Sequence, residues 1–178
     1  MRKEASRSKS DGGFQQRRGY SSTIMTLHKD ETQNINRHAN DFRRAMSAEN
    51  FVDLVFLFNF PTDCGKVSST MLGVYLFHHN IHGFCLVGSE RPVDGVKHWW
   101  LEKDGIVVDI TADQFSSRGL SEVVVESSSE FHAELDATRV EKINSDFCTR
   151  ILTHPSNNHI RCVYEKLVRT IQARAGKN

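Results

Sequence analysis

The feature that most constrains this chain is a pair of strand-forming runs, residues 96–102 and 106–111, separated by Lys103-Asp104-Gly105. Val96, Trp99, Trp100, Ile106, Val107, Val108 and Ile110 suit a pleated, half-buried surface, and Asp-Gly between two such runs is a hairpin signal. An antiparallel hairpin then fixes which side chains share a face. With Lys103 and Asp104 as the two loop residues, His98 stands directly opposite Asp109. With Asp104 and Gly105, Asp109 stands opposite Trp100, still on the His98 face and one diagonal step away. A three-residue turn with a bulge puts Asp109 on the other face.

Other elements are arranged around the hairpin. Ile35, Ala39, Phe42 and Met46 recur at near-helical spacing, which predicts an amphipathic helix over 30–50. Ser47 is placed to cap a second, apolar element over 51–60, expected to be buried because its apolar groups lie on every side. Pro61 forces a turn after Phe60. A helix follows from Cys64 to about His79, with Thr62 or Asp63 as its cap and Val67, Met71, Val74, Tyr75 and His78 on one face. Phe84-Cys85-Leu86-Val87-Gly88 reads as a buried strand and 89–95 as a loop. A helical turn at 112–115, a strand at 123–125, a helix over 136–152 and a last helix striped by Ile160, Val163, Tyr164, Leu167, Val168 and Ile171 complete the chain. Helices, a meander of strands and helices again make an α+β pattern.

The 178 residues suffice for one domain, and a formal net charge of +1 gives the chain no strong pull toward nucleic acid or an acidic membrane surface. Residues 1–25 are expected to be a flexible basic tail that makes at most a weak nucleic-acid contact, and 26–178 a single domain. The four cysteines form no CxxC pair, no secretory leader is visible, and the longest apolar run is about half the ~20 residues a spanning helix needs. These features predict a cytoplasmic protein with reduced thiols, or an exported effector if the basic tail acts as an export signal.

The chemistry centres on Pro61-Thr62-Asp63-Cys64-Gly65. A cysteine in the first helical turn lies near unsatisfied N–H groups and the positive end of the helix dipole, which is expected to lower its pKa. Gly65 leaves room for a substrate backbone. The Cys64 N–H is a natural oxyanion donor, and Asn59, Gln114 and Asn80 are candidates for a second, with Asn59 favoured for its place just upstream. His98, among apolar neighbours, needs a polar partner if buried. Asp109 can supply one, fixing the imidazole tautomer, with Asp113 as its competitor. Asp109 can instead cap the turn at Thr111. One of Trp99 and Trp100 is expected in the core, the other along a substrate cleft beside His98.

A Cys-Gly at a helix start, a His-aromatic-Trp-hydrophobic-Glu strand and a Val-Asp-x-Thr strand together resemble the core of the transglutaminase-like and papain-like cysteine enzymes, over residues 58–116. The resemblance implies a nucleophile helix packed on a small antiparallel sheet, with extra N- and C-terminal helices. It implies Cys64 as nucleophile, His98 as base and Asp109 as orienting acid. The expected activity is a cysteine hydrolase acting on an amide in a protein or peptide, without cofactor or metal. Glutamine deamidase or transglutaminase activity is the alternative, and a non-catalytic binding module on the same fold is the reading from another class. Cys85, Cys148 and Cys162 read as packing residues. His78 and His82, four apart, could bind a metal, but Gly83 ends the helix, and a solvated helix terminus is the better reading.

Overall fold

Five strands make one antiparallel sheet in the order β4-β3-β2-β1-β5. They are β1 (Cys85–Glu90), β2 (Lys97–Lys103), β3 (Ile106–Asp109), β4 (Val124–Ser127) and β5 (Ala137–Lys142). The helices are α1 (Gln16–Ser47), α2 (Gly65–His78), α3 (Glu130–Ala133), α4 (Ser145–Thr153) and α5 (Asn158–Ala175), with a 3-10 segment at Ala112–Arg118 and another at Pro155–Asn157. The computed structural model describes residues 16–51, 54, 56–90 and 95–176, with side chains described from residue 29 onward. The chain divides into two units, Met1–Glu31 and Thr32–Asn178, and α1 runs through the boundary between them. The mixed α+β class predicted from element order is the observed one.

The β2–β3 hairpin turns on two residues. Lys103 pairs with Ile106, Glu102 with Val107 and Leu101 with Val108, which leaves Asp104 and Gly105 as the loop. Both have positive φ, 48° and 80°, the twist that best joins two strands. Continuing this register sets Asp109 opposite Trp100, the diagonal arrangement with His98.

Alternation along the strands divides the apolar residues between two clusters. Leu86, Leu101 and Val108 belong to the main core, where Met71, Leu72, Val74 and Leu76 of α2, Phe42 and Met46 of α1, and Leu167 of α5 are buried. Val87, Trp100 and Val107 instead form a second cluster with Phe131 and Leu135. His98 and Asp109 share the parity of Trp100, so the second cluster surrounds them.

Several expectations are corrected. The stretch 136–152 is not one helix: its first part is β5, whose residues are all exposed, and α4 begins only after Asn144, whose side chain accepts from the Phe147 N–H at 2.9 Å. β1 offers a second row of hydrogen-bonding groups, and β5 takes them up antiparallel, with an irregularity between Gly88 and Ser89. The first strand continues past Gly88 to Glu90, into the expected loop, of which 91–94 lie outside the described residues. No helix forms over 56–60; these residues are turns, and Phe58 is 58% exposed although Leu57 is buried. α1 begins at Gln16, inside the stretch expected as a tail, and residues 1–15 lie outside the described ones.

Gly88 pairs with Trp99 across β1 and β2, and the indole lies over it. A Cβ on Gly88 would come within 2.7–2.8 Å of three ring atoms, so the Trp99 ring or the backbone would have to shift. Gly88→Ala is therefore expected to destabilise by about 1–3 kcal/mol in urea denaturation, the usual penalty for overpacking. Gly88→Ala with wild-type stability would mean that the indole can leave.

His38, 7% exposed on α1, accepts from the Arg37 guanidinium through Nε2 at 2.9 Å, with its Nδ1 3.4 Å from the Tyr75 hydroxyl. Burial, followed by the positive charge of Arg37, lowers its pKa from 6.5 to about 4. The folded state thus keeps this ring neutral while the unfolded chain takes up a proton below pH 6.5. Its contribution is complete above pH 6.5 and is lost as the pH falls toward 4, by up to about 3 kcal/mol. Urea midpoints followed from pH 7 to 4 should fall less steeply in His38→Gln than in wild type; identical slopes would refute the assignment.

Candidate active site

Cys64 is the residue that starts α2. Asp63 before it adopts a left-handed φ of 59°, and the Cys64 carbonyl accepts from Ser68 N–H at 2.9 Å as the first helical bond. Neither Thr62 nor Asp63 caps the helix through its side chain, contrary to expectation; Cys64 occupies the cap position and makes no side-chain cap itself. Leading N–H groups are therefore left uncapped at this end of α2. The Cys64 N–H reaches the Pro61 carbonyl only at 3.4 Å, a long contact that an incoming oxyanion can displace.

The Cys64 thiol donates to the Thr62 carbonyl at 3.1 Å and is 3% exposed. Burial, and next the Asp63 carboxylate, push its pKa up to about 11. The expectation of a lowered pKa is corrected: desolvation of the thiolate and a neighbouring negative charge outweigh the helix end. The resting residue is a thiol.

His98 lies close to this turn. A Cβ built on Gly65 would stand 3.5 Å from His98 Nδ1 and 3.4 Å from the Trp99 backbone. Gly65 thus brings the start of α2 against the start of β2, its missing side chain facing the strand. Ser69 fastens the same contact one turn on, donating to the Trp99 carbonyl at 3.0 Å. Among the described residues, the hydrogen bonds of Cys64 and of His98 do not join the two side chains to each other.

The imidazole is tied from its other nitrogen. His98 Nε2 lies 2.7 Å from Asp109 Oδ2, both residues buried. Asp109 Oδ1 accepts from the Thr111 N–H at 2.8 Å and the Thr111 hydroxyl at 3.0 Å. Asp109 therefore caps the Thr111 turn with one oxygen and holds His98 with the other, so the two roles considered for it coexist. A second imidazole completes the set: His132 Nε2 is 3.1 Å from the same Oδ2, and His132 Nδ1 is 2.7 Å from Ser129 Oγ.

These partners assign the protons. Burial would raise the Asp109 pKa, but hydrogen bonds from His132 and His98 more than offset it and hold the carboxyl well below the usual range. A carboxylate only accepts, so His98 Nε2 and His132 Nε2 both carry hydrogen. Gln114 Nε2 donates to the Thr111 carbonyl at 2.8 Å and lies 3.2 Å from His98 Nδ1, which fixes that ring nitrogen as an acceptor. His98 is thus held in the tautomer whose ring lone pair, on Nδ1, faces the Cys64 turn and is taken up by Gln114.

Asp113, the competing acid, is engaged elsewhere. Arg43 grips its two oxygens at 3.1 and 2.7 Å and donates to the Ile110 carbonyl at 2.6 Å. The Arg43 guanidinium also lies 4.5 Å from the Phe60 ring centroid. One buried arginine therefore links α1, the turn before Cys64 and the chain on both sides of Thr111. Asn59 is exposed in the turn before Pro61, and Asn80 has a φ of 60° at the end of α2. Of the candidate amides, Gln114 is the one the hydrogen bonds bring to His98. Trp100 is 2% exposed in the second cluster, and Trp99 is partly buried under the Lys66 ammonium, 4.9 Å from its ring centroid. His78 pairs with the Tyr164 hydroxyl at 2.9 Å and His82 packs on the Phe77 ring, so the two are not joined as a metal pair.

The ligand atoms of His98, Asp109 and His132 lie within 4.8 Å of one another, a donor set that suits a transition metal. Their distances suit hydrogen bonds equally: two imidazoles converge on one oxygen while Thr111 occupies the other, and a metal would have to displace both ring protons. His132, Ser129 and Thr111 were not singled out as site residues from sequence. His132 lies in Glu130-Phe131-His132-Ala133, where no spacing relates it to His98. Comparison with family models, with curated proteins and with solved structures returns no match to this chain.

Proposed function

We propose that this protein is a cysteine hydrolase of the papain-like and transglutaminase-like kind, acting on an amide bond in a protein or peptide. The observation that carries the reading is the orientation of His98: its Nε2–H is held by a buried carboxylate, and its Nδ1 faces the turn that bears Cys64. In this reading Gln114 releases Nδ1, which takes the Cys64 proton, and the thiolate attacks the substrate carbonyl. The Cys64 N–H, with the freed Gln114 amide, stabilises the oxyanion. The imidazolium then protonates the leaving amine, and a thioester remains on Cys64. Water, activated by the same Nδ1, hydrolyses it.

His98 is 1% exposed, with Phe115 edge-on at 4.9 Å. Substrate entry therefore requires the Gln114–Phe115 part of the 3-10 segment, whose backbone already departs from helical angles at Phe115, to move aside. Water as acceptor at a backbone amide gives a peptidase, water at a glutamine side chain a deamidase, and an amine acceptor a transglutaminase. The buried, protonated thiol favours one further reading, a binding module that keeps the fold without turnover. The test is a peptide and protein library incubated with the wild type and with Cys64→Ala. Cleavage, or a mass change of +1 at glutamine, confined to the wild type supports the proposal; products that persist in Cys64→Ala, or none from either, reject it.

A further inference from the structure

We propose that His132 is a positioning residue for the Asp109–His98 pair, acting with Ser129 as the second imidazole on one carboxylate; the inference rests on the reading of Cys64 and His98 given above. Asp109 Oδ1 is pinned by two donors from Thr111, and Oδ2 has two lone-pair directions. His98 takes one at 2.7 Å and His132 the other at 3.1 Å, which leaves the carboxylate no free acceptor and no freedom to turn.

Ser129 holds the far side of the His132 ring at 2.7 Å and is itself 5% exposed. Its hydroxyl is within hydrogen-bond reach of Nδ1 and fixes the orientation of the ring. Trp100 at 5.0 Å and Phe131 at 5.0 Å between centroids wall the ring in, and water is kept from competing for Oδ2. Charged groups further out are the Asp63 carboxylate beside Cys64, the Arg43–Asp113 pair reached through the Ile110 carbonyl, and Arg118, which lies 5.7 Å from the Phe131 ring centroid and pairs with Glu134.

A hydrogen-bond donor on Oδ2 shares the carboxylate charge and moderates how strongly Asp109 stabilises the His98 imidazolium. Removing that donor leaves a buried lone pair empty, makes Asp109 the stronger partner of His98 and raises the basicity of Nδ1. A residue that merely filled space would change stability without touching this basicity.

The experiment is site-resolved mass spectrometry of iodoacetamide labelling at Cys64 across pH, in wild type, His98→Ala, His132→Phe and His132→Gln. The proposal expects the acid limb of the Cys64 profile, where His98 gives up its proton to become the free base, to move up by about one pH unit in His132→Phe and to return toward wild type in His132→Gln, whose amide can donate to Oδ2. Labelling that is no faster in wild type than in His98→Ala defeats the underlying cysteine–histidine reading. Labelling that depends on His98 but has the same profile in His132→Phe overturns the role of His132 alone. A measurement independent of variant folding is the imidazole proton–nitrogen correlation spectrum of the wild type. It should place hydrogen on Nε2 of both rings, and a His132 protonated only at Nδ1 overturns the proposal.

Discussion

Asp109→Ala should lose about 3–5 kcal/mol of stability, the usual cost of breaking a buried, charged hydrogen-bond network from one side. The carboxylate is fully buried and is the acceptor for four donors: the Thr111 N–H, the Thr111 hydroxyl, and the Nε2–H groups of His98 and His132. Each donor left buried and unpaired costs about 1–3 kcal/mol, and water entering the vacated space recovers part of it. Asp109→Asn separates stability from chemistry. Its carbonyl can serve both Thr111 donors, but its NH₂ then confronts two imidazole N–H groups. His98 relieves the conflict by moving its proton to Nδ1, and the proposed base is lost. Asn should therefore retain more stability than Ala in urea denaturation, yet slow Cys64 labelling about as much as His98→Ala does. A loss below about 1 kcal/mol for Asp109→Ala would mean that the network contributes little.

The second large effect concerns the thiol. With a pKa pushed up to about 11, an unassisted Cys64 is thiolate in only about one molecule in 10,000 at pH 7. In the proposed mechanism, reactivity at this residue comes from proton removal by His98. His98→Ala is expected to slow turnover by roughly 100- to 10,000-fold, the range for losing a positioned general base, and Cys64→Ala to abolish it. Labelling has to be resolved residue by residue, because Cys162 is exposed and Cys85 half-buried, and both offer accessible thiols that bulk measurement would count. A Cys64 rate unchanged by His98→Ala would leave the cysteine as a packing residue of the main core.

The hairpin was legible because its signals are local. Asp104-Gly105 adopts the positive φ pair that its residues favour, and strand parity then restricts Asp109 to a few relations with His98. The start of α2 was legible for a similar reason: Pro61 turns the chain, and Gly65 opens the helix. β5 was not legible. All its residues are exposed, so no apolar alternation marks it, and its strand conformation comes from the hydrogen-bonding row that β1 presents. The turns over 56–60 misled in the opposite direction, because an apolar run need not be buried throughout: Phe58 is largely exposed. His132 carried no signal at all. It reaches Asp109 from 23 positions away along the chain, through a short helix packed on the second cluster.

By itself the sequence determined the α+β class, the place of the hairpin and the candidacy of Cys64, His98 and Asp109, since each depends on residue type and near neighbours. Only the tertiary structure decided the rest. Register chose the diagonal relation of Asp109 to His98. Packing assigned Asp113 to Arg43 and brought His132 onto the carboxylate. Burial turned a cysteine expected to be acidic into a protonated thiol. Desolvation and long-range contact set these outcomes, and both depend on what surrounds a side chain in space, which its neighbours in the chain do not specify.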